Sequence, residues 1–172
     1  EQYTDIKKIE KILNFEISKD QKIIEYSPSS FEYLKNICDI IKKNNGGMLI
    51  IDYGYLNPGN HNTLQSVKGH KKNNLLDNLG KADITSHVNF KLLNEFFLKN
   101  NLKIKKILPQ AKFLKKMGIL ERAEILSKEM KFRDQSNMFL RLKRLLSPKL
   151  MGELFKVALA YKCKSNKFFG FN

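Results

Sequence analysis

The sequence lacks the features that mark several large classes of protein. Its 172 residues include only 2 Cys, too few for a disulfide framework in a chain of this size. Its longest uninterrupted apolar runs, such as 48–51 and 157–161, are far shorter than the roughly 18–20 residues of a membrane-spanning helix. We therefore expect no membrane span, and a reducing, intracellular compartment.

Motifs that bind nucleotides or metals are also missing. The 9 Gly never fall in G-x-G spacing, and no Walker motif or G-x-S-x-G elbow occurs. His61 and His70 have no Cys or His partner at metal-ligand spacing, so we expect no structural zinc. Cys38 lies within an apolar helical pattern, which predicts a core residue rather than a nucleophile.

Arginine is scarce although the chain is strongly basic. Of the 32 basic residues 28 are Lys and only 4 are Arg, against 17 Asp plus Glu, for a formal charge of +15. Arg is the residue that recognises phosphates and base edges through two parallel hydrogen bonds, so nucleic-acid recognition is disfavoured. We interpret the Lys excess as mainly solvated surface. The alternative function is a remnant without catalytic activity whose basic surface binds nucleic acid or an acidic partner.

What the sequence does contain is material for a core, because 42% of its residues are hydrophobic and 10% are aromatic. Strand patterns alternate with helix patterns, which predicts the α/β fold class. Capping residues mark one helix clearly: Ser27-Pro28 suits its start, Ser29 and Glu32 suit a capping box, and the glycines of Asn45-Gly46-Gly47 suit a left-handed end.

The other predicted elements follow from apolar spacing and turn residues. They are a strand pair within 6–25 that turns at Lys19-Asp20-Gln21, a buried strand at 48–52, a long substrate-contacting loop at 56–81, a helix capped by Asn89, a strand at 102–108, a short helix around 113–117, helices at 120–130 and 134–146, and a half-buried or edge strand at 154–162.

Two groups of polar residues are candidates for chemistry. Ligands of open α/β sheets bind outside the carboxyl ends of the strands, and Asp52 directly follows the apolar run 48–51. Asp83, Thr85 and His87 lie within one turn ahead of a helix. The alternative for Asp52 is simple capping of the next loop while Tyr53 packs, and for the second group it is ordinary helix capping with an exposed imidazole.

Several segments stand in a definite order along the chain: Gly46-Gly47-Met48-Leu49-Ile50-Ile51-Asp52-Tyr53-Gly54-Tyr55, Thr63-Leu64-Gln65, 82–90, Gln110, 113–119 with Arg122, and 147–157. Together they resemble the MidA-like S-adenosylmethionine-dependent methyltransferases. That family includes the mitochondrial assembly factor that methylates an arginine of respiratory complex I. The chain departs from the family at Asn89, where Asp is usual, at Leu79-Gly80, where Pro-Gly is usual, and in the loop 58–62, which loses an acidic residue.

The resemblance implies the C-terminal portion of a Rossmann-like class I methyltransferase sheet with additional family-specific helices. The family's glycine-rich cofactor loop precedes the matching segments, and this sequence starts at Glu1 rather than Met. We therefore expect residues 1–172 to form a single partial domain that neither binds S-adenosylmethionine nor acts alone. Its N-terminal half could lie on another chain, its substrate would be a complex I subunit, and it could self-associate. Its compartment would be the bacterial cytoplasm or the mitochondrial matrix.

The resemblance also implies roles for individual residues. An arginine guanidinium remains protonated to high pH, so its methylation needs carboxylates that orient it and a group that accepts a proton. Asp52 and Asp83 are candidates for orientation, His87 for proton acceptance and Tyr53 for lining the cleft. The further implied substrate contacts are Gly54, Tyr55, Gln65, His70, Thr85 and Gln110. No cofactor-binding or metal-binding residue is expected in this chain.

Overall fold

A mixed β-sheet packed against helices organises the chain. The computed structural model describes residues 5–19, 22–57, 59 and 62–171. The helices are α1 Ile6–Leu13, α2 Pro28–Asn44, α3 Phe90–Lys99, α4 Gln110–Lys116, α5 Ile119–Ser127, α6 Phe132–Leu146 and α7 Met151–Leu154. The strands are β1 Gly47–Tyr55, β2 Gln65–Lys68, β3 Lys71–Asn73, β4 Asp83–Thr85, β5 Val88–Asn89, β6 Lys103–Ile104, β7 Leu108–Pro109 and β8 Phe155–Tyr161.

The main sheet has five strands and is built around the pairing of β1 with β8. Its order is β5-β1-β8-β6, and β7 also pairs with β8. β1 and β8 are antiparallel from Gly47 opposite Tyr161 to Tyr53 opposite Phe155. β5 is parallel to β1 and pairs only with its last two residues, Gly54 and Tyr55. The predicted strand at 48–52 is therefore confirmed, but it continues to Tyr55, so Asp52 lies inside the strand and not at its end.

The strand predicted at 154–162 is confirmed as β8, but it is a buried central strand, so its predicted half-buried or edge position is wrong. Ala158 and Ala160 pack into the larger core cluster, whereas Val157 belongs to a second cluster with Leu108 and Phe113. Because successive side chains of a strand point to opposite faces, β8 is buried on both sides. The small alanine side chains alternate with larger apolar ones, and this alternation resembles a strand that is apolar on one face only.

For the helices that pack on the larger core, the predicted capping residues are only partly confirmed. Asn89 caps α3 as predicted, and its Oδ1 accepts a hydrogen bond from the Leu92 N–H at 3.0 Å. α2 also starts at the predicted place, but its cap is Ser27, so the expected capping box of Ser29 with Glu32 is wrong. At its other end the left-handed residue is Asn45 with φ 50°, not a glycine.

The strand pair predicted within 6–25 is wrong, because 6–13 forms helix α1. Asp5 caps this helix, and Ile9 and Leu13 are one helical turn apart and pack against the larger core cluster. The charged residues between the apolar ones resemble the alternation of a strand and hide this helical spacing in the sequence. The predicted turn at Lys19-Asp20-Gln21 lies partly outside the described residues.

The long loop predicted at 56–81 also contains regular structure. β2 and β3 form a hairpin, and β4 pairs with the other edge of β2 to make a separate three-stranded antiparallel sheet. The residues 65–73 are mostly polar, and the one buried residue of β2 and β3 is Ser66, so hydrophobic alternation did not reveal these strands.

Among the remaining elements, the predicted helices are present, whereas the predicted strand is divided. α4, α5 and α6 occupy the three predicted helical segments near 113–117, 120–130 and 134–146. The strand expected at 102–108 is instead two separate pairings with β8, made by β6 and β7. No helix in the described part of the chain is long and apolar enough to cross a membrane.

Burial makes Cys38 a chemically protected thiol, and this gives a first prediction. Its side chain is fully buried in the core, as expected from the sequence, and burial raises the pKa of its thiol to about 11. We expect iodoacetamide at about pH 8 to modify the partly exposed Cys163 and to leave Cys38 unmodified, because the thiolate is the reactive form. Mass spectrometry of the digested protein measures both sites. Both should react in guanidinium chloride, and equal rates in the native protein would contradict the prediction.

Candidate functional site

A cavity of about 870 Å³ lies between the segment before α2, the first half of β1, and the β5–α3 junction. This volume is in the range of small-molecule sites. The lining residues are Ile23, Ile24, Glu25, Tyr26, Ser27, Ser30, Phe31, Tyr33, Leu34, Met48, Ile50, Asn62, Leu64, Ser86, His87, Val88, Asn89, Leu92 and Leu93. Most are apolar, and Glu25 is the only Asp, Glu, Lys or Arg among these described lining residues.

Hydrogen bonds from two separate segments hold the Glu25 carboxylate. Thr63 donates its backbone N–H to Oε1 at 2.7 Å and its hydroxyl to Oε2 at 2.7 Å. The Tyr55 hydroxyl donates to Oε2 at 3.5 Å, the longest of the three contacts. The same Thr63 hydroxyl accepts the His87 backbone N–H at 2.8 Å. Thr63 therefore joins the segment before α2 to the segment before α3.

Tyr55 remains a hydrogen-bond donor because its environment favours the neutral phenol. Burial raises the pKa of Tyr55 most, and the negative charge of Glu25 and the hydrogen bond to it raise the pKa further. A hydrogen bond with Asn89 acts in the opposite direction. Tyr55, an expected substrate contact, thus helps to position the carboxylate at the cavity.

Tyr53 and His87, two of the predicted catalytic residues, contact one another. Their ring centroids are 5.3 Å apart with the planes at 81°, an edge-to-face arrangement. Phe155 on β8 packs against the same tyrosine at 5.7 Å. Since His87 also lines the cavity, the aromatic pair connects β1 and β8 to the site.

Asp52 lies beside the cavity but does not line it. Met48 and Ile50 line the cavity, and alternation along β1 places Asp52 on the same face two residues further on. Its Oδ1 accepts the Tyr53 backbone N–H at 2.8 Å. Across the sheet its register partner is Lys156, whose ammonium group donates to the backbone carbonyls of Glu153 and Leu154.

The other predicted site residues lie away from the cavity lining. Asp83 is exposed on β4 opposite Val67, and Thr85 pairs with Gln65 on β2. His70 is exposed in the β2–β3 turn with a left-handed φ of 62°. Gln110 is buried, and its amide donates to the Leu145 carbonyl at 3.0 Å, which ties the start of α4 to the end of α6.

Glu25 is the main residue that the candidate list from the sequence lacks. It stands alone in an Ile-rich stretch, and its partner Thr63 is 38 residues away. The only sequence signal is indirect, since both residues fall within the region of family resemblance. In the part of the chain that the structure describes, no group of three or more His, Cys, Asp or Glu residues could hold a metal ion; His61 lies outside that part.

Comparison with known families identifies the class of protein. Residues 2–108 match the model of a family of S-adenosyl-L-methionine-dependent methyltransferases, Methyltransf_28. This match covers more than half of the chain and includes β1, the cavity and α3. The chain therefore belongs to this methyltransferase family, as the resemblance implied.

Two curated relatives are named protein arginine methyltransferases. The chain is 32% identical over 116 residues to "Protein arginine methyltransferase NDUFAF7 homolog, mitochondrial" of Caenorhabditis elegans, a match covering 67% of this chain and 27% of the relative. It is 28% identical over 142 residues to the NDUFAF7 protein of Danio rerio, covering 81% of this chain and 33% of the relative. The chain thus spans a third or less of the length of these relatives.

Solved structures confirm the predicted α/β methyltransferase fold. A native crystal structure of a Burkholderia thailandensis protein matches with a TM-score of 0.74 at 20% identity, covering 100% of this chain and 45% of the other. A protein of the same superfamily from the same organism, bound to S-adenosyl-homocysteine, matches with a TM-score of 0.67 at 23% identity. That second match covers 84% of this chain and 36% of the other.

The geometry predicts a structural requirement for Gly54. A Cβ atom there would lie 2.1 Å from the Val88 carbonyl oxygen and 2.9 Å from the Phe90 ring. We expect Gly54→Ala to lower the free energy of unfolding by about 3 kcal/mol or more, because backbone must move to admit the methyl group. Urea unfolding followed by circular dichroism measures the change.

Gly46→Ala is the matched control for this prediction. A Cβ atom at Gly46 would meet no atom within 4 Å. This variant should therefore stay within about 0.5 kcal/mol of the parent protein. Similar stabilities for the two variants would contradict the required close approach of β5 to β1.

Proposed function

We propose that this chain forms the acceptor-binding part of an S-adenosylmethionine-dependent protein arginine methyltransferase. The observation that carries the proposal is that Glu25 and His87 line one apolar cavity, with Tyr53 packed against the His87 ring. The names of the curated relatives support arginine as the acceptor. The family resemblance adds the proposal that the substrate is a protein subunit of respiratory complex I and that the compartment is the mitochondrial matrix or the bacterial cytoplasm.

The residues of this chain bind and orient the acceptor and remove its proton. Alignment of the attacking nitrogen with the methyl group supplies much of the rate of such a transfer. Asp52 orients the guanidinium together with Asp83, His87 accepts the proton released on transfer, and Tyr53 holds the imidazole in place. Asp52 has the stronger structural support of the two acids, since it continues the face of β1 that lines the cavity.

We infer that the described residues lack the groups that would hold the methionine cofactor, whose carboxylate needs backbone donors or a cation. The glycines with left-handed φ are Gly69, Gly80, Gly118 and Gly170, and none lies between a strand of the main sheet and a following helix. The cavity lining offers no Lys or Arg among its described residues. We propose that a segment outside these 172 residues holds the cofactor, on the same or another polypeptide.

The free edge of β1 supports the presence of such a segment. Within the described residues, Gly47 to Tyr53 pair with β8 on one side only. Leu49 and Ile51 on this stretch are 49% and 45% exposed. An unpaired strand edge beside exposed aliphatic side chains is a template for another strand, so the added segment, or a second copy of the chain, would pair here.

Titration with S-adenosylmethionine tests the division of the site between segments. We expect no saturable heat of binding when the cofactor is added to this chain alone, because the glycine-rich turn that would hold it is missing from the sequence. Isothermal titration calorimetry makes the measurement, with S-adenosylhomocysteine as a second ligand. Saturable binding of either ligand would show that the chain has a cofactor site of its own.

Substitution of Asp52 tests the proposed reaction. The chain is first combined with a segment that carries the cofactor loop, and transfer of a labelled methyl group to an arginine peptide is followed by mass spectrometry. We expect Asp52→Asn to reduce methylation roughly 100-fold or more while the melting temperature stays near that of the parent, because a charged hydrogen-bond acceptor is lost.

Asp39→Asn is the control for this substitution. Asp39 lies on α2 and forms a surface ion pair with Lys42 at 2.6 Å, so its loss should leave methylation unchanged. Parent-like methylation by Asp52→Asn would remove Asp52 from the mechanism. No methylation of any arginine peptide by the combined parent protein would refute the proposed function.

A further inference from the structure

The cavity has a charge pattern opposite to that of the chain as a whole. The protein carries 32 basic residues and a formal charge of +15, yet no Lys or Arg is among the described residues that line the cavity. Its single carboxylate, Glu25, lies among aliphatic and aromatic side chains. A cation with an apolar stem suits such a lining, because no Lys or Arg among the described lining residues balances the charge of the carboxylate.

We propose that Glu25 is a further carboxylate that binds the guanidinium of the acceptor arginine, in addition to the orienting acids Asp52 and Asp83, with the methylene stem of that arginine against the apolar wall of the cavity. This inference rests on the proposed function, and it adds a specificity residue that neither the sequence motifs nor the comparisons assign.

The hydrogen bonds of Glu25 leave it ready to accept another donor. A carboxylate has about four lone-pair positions, and the three contacts from Thr63 and Tyr55 use one on Oε1 and two on Oε2. No described Lys or Arg forms an ion pair with it. Oε1 therefore retains a position for an N–H of the guanidinium, while Thr63 fixes the orientation of the carboxylate before any ligand arrives.

Thr63 also relates the carboxylate to the proposed proton acceptor. Its hydroxyl donates to Glu25 Oε2 and accepts the backbone N–H of His87. A ligand held by Glu25 consequently lies in the cavity that His87 also lines. Met48 and Ile50 on β1 and Leu64 beside Thr63 supply apolar walls for the methylene groups.

The proposal can be tested on the 172-residue chain without cofactor. The probes are three short peptides that differ at one position: arginine, its neutral isostere citrulline, and lysine. Binding is followed by NMR through the methyl signals of Met48 and Ile50, with Met117, which does not line the cavity, as an internal reference. We expect the arginine peptide to bind saturably and the citrulline peptide to bind roughly 10- to 100-fold more weakly, because a hydrogen bond between charged groups is lost.

Substitutions test whether Glu25 is responsible for the preference for the arginine peptide. Glu25→Gln should reduce affinity for the arginine peptide to that for the citrulline peptide. Glu32→Gln, a change of the same kind at an exposed position on α2, should leave it unchanged. Thr63→Val should weaken binding of the arginine peptide by about tenfold, because it removes the hydroxyl that orients the carboxylate, and Thr63→Ser should restore it. Unchanged melting temperatures ensure that each variant is folded.

Three results would overturn the assignment: equal affinity for the arginine and citrulline peptides, a lysine peptide that binds as tightly as the arginine peptide, or parent-like affinity in Glu25→Gln. These binding results are independent of whether the combined protein methylates arginine, which the Asp52 experiment measures. Glu25-dependent arginine binding without any methylation would refute the proposed reaction and support the guanidinium site. The two proposals therefore fail separately.

Discussion

The position of β1 between β8 and β5 is the constraint on which the site depends. Seven register pairs with β8 hold most of the strand, and at Gly54 the absence of a side chain lets the backbone of β5 approach. Because β1 is fixed on both flanks near its end, its side chains reach separate parts of the site: Met48 the cavity wall, Tyr53 the imidazole, and Tyr55 the carboxylate. A shift of one residue in register would reverse every one of these directions.

Thr63 complements that rigid strand from a segment without regular structure. Its two donors and one acceptor connect Glu25 to His87, two residues that no strand or helix brings together directly. Loops positioned by a rigid scaffold commonly carry binding residues, and here the scaffold is β1 and the start of α3. The site therefore combines a strand whose register is fixed with a loop segment that is held by the hydrogen bonds of one threonine.

Local chemistry was predictable from the sequence and long-range contacts were not. The Asn89 cap and the burial of Cys38 follow from residues within a few positions of each, and the structure bears them out. Glu25 has no local signal, since its partner is 38 residues away. The end of the apolar run predicts a strand end at Asp52, yet the strand continues through Tyr55, because Gly54 and Tyr55 pair with β5. The family resemblance identified the class of protein, but it could not show which side chains meet.

The surface Lys residues and the Glu25 carboxylate would act on a cationic ligand over different distances. Surface charges of the chain are screened within roughly 8 Å at physiological ionic strength, so its Lys residues repel a distant cationic substrate only weakly. A guanidinium in contact with the half-buried Glu25 carboxylate lies well within that distance, so their attraction is screened much less. Specificity for a cation can therefore reside in Glu25 even though the chain carries a formal charge of +15. In the proposed site, what would matter for binding is the absence of competing Lys and Arg from the described lining of the cavity, not the net charge of the molecule.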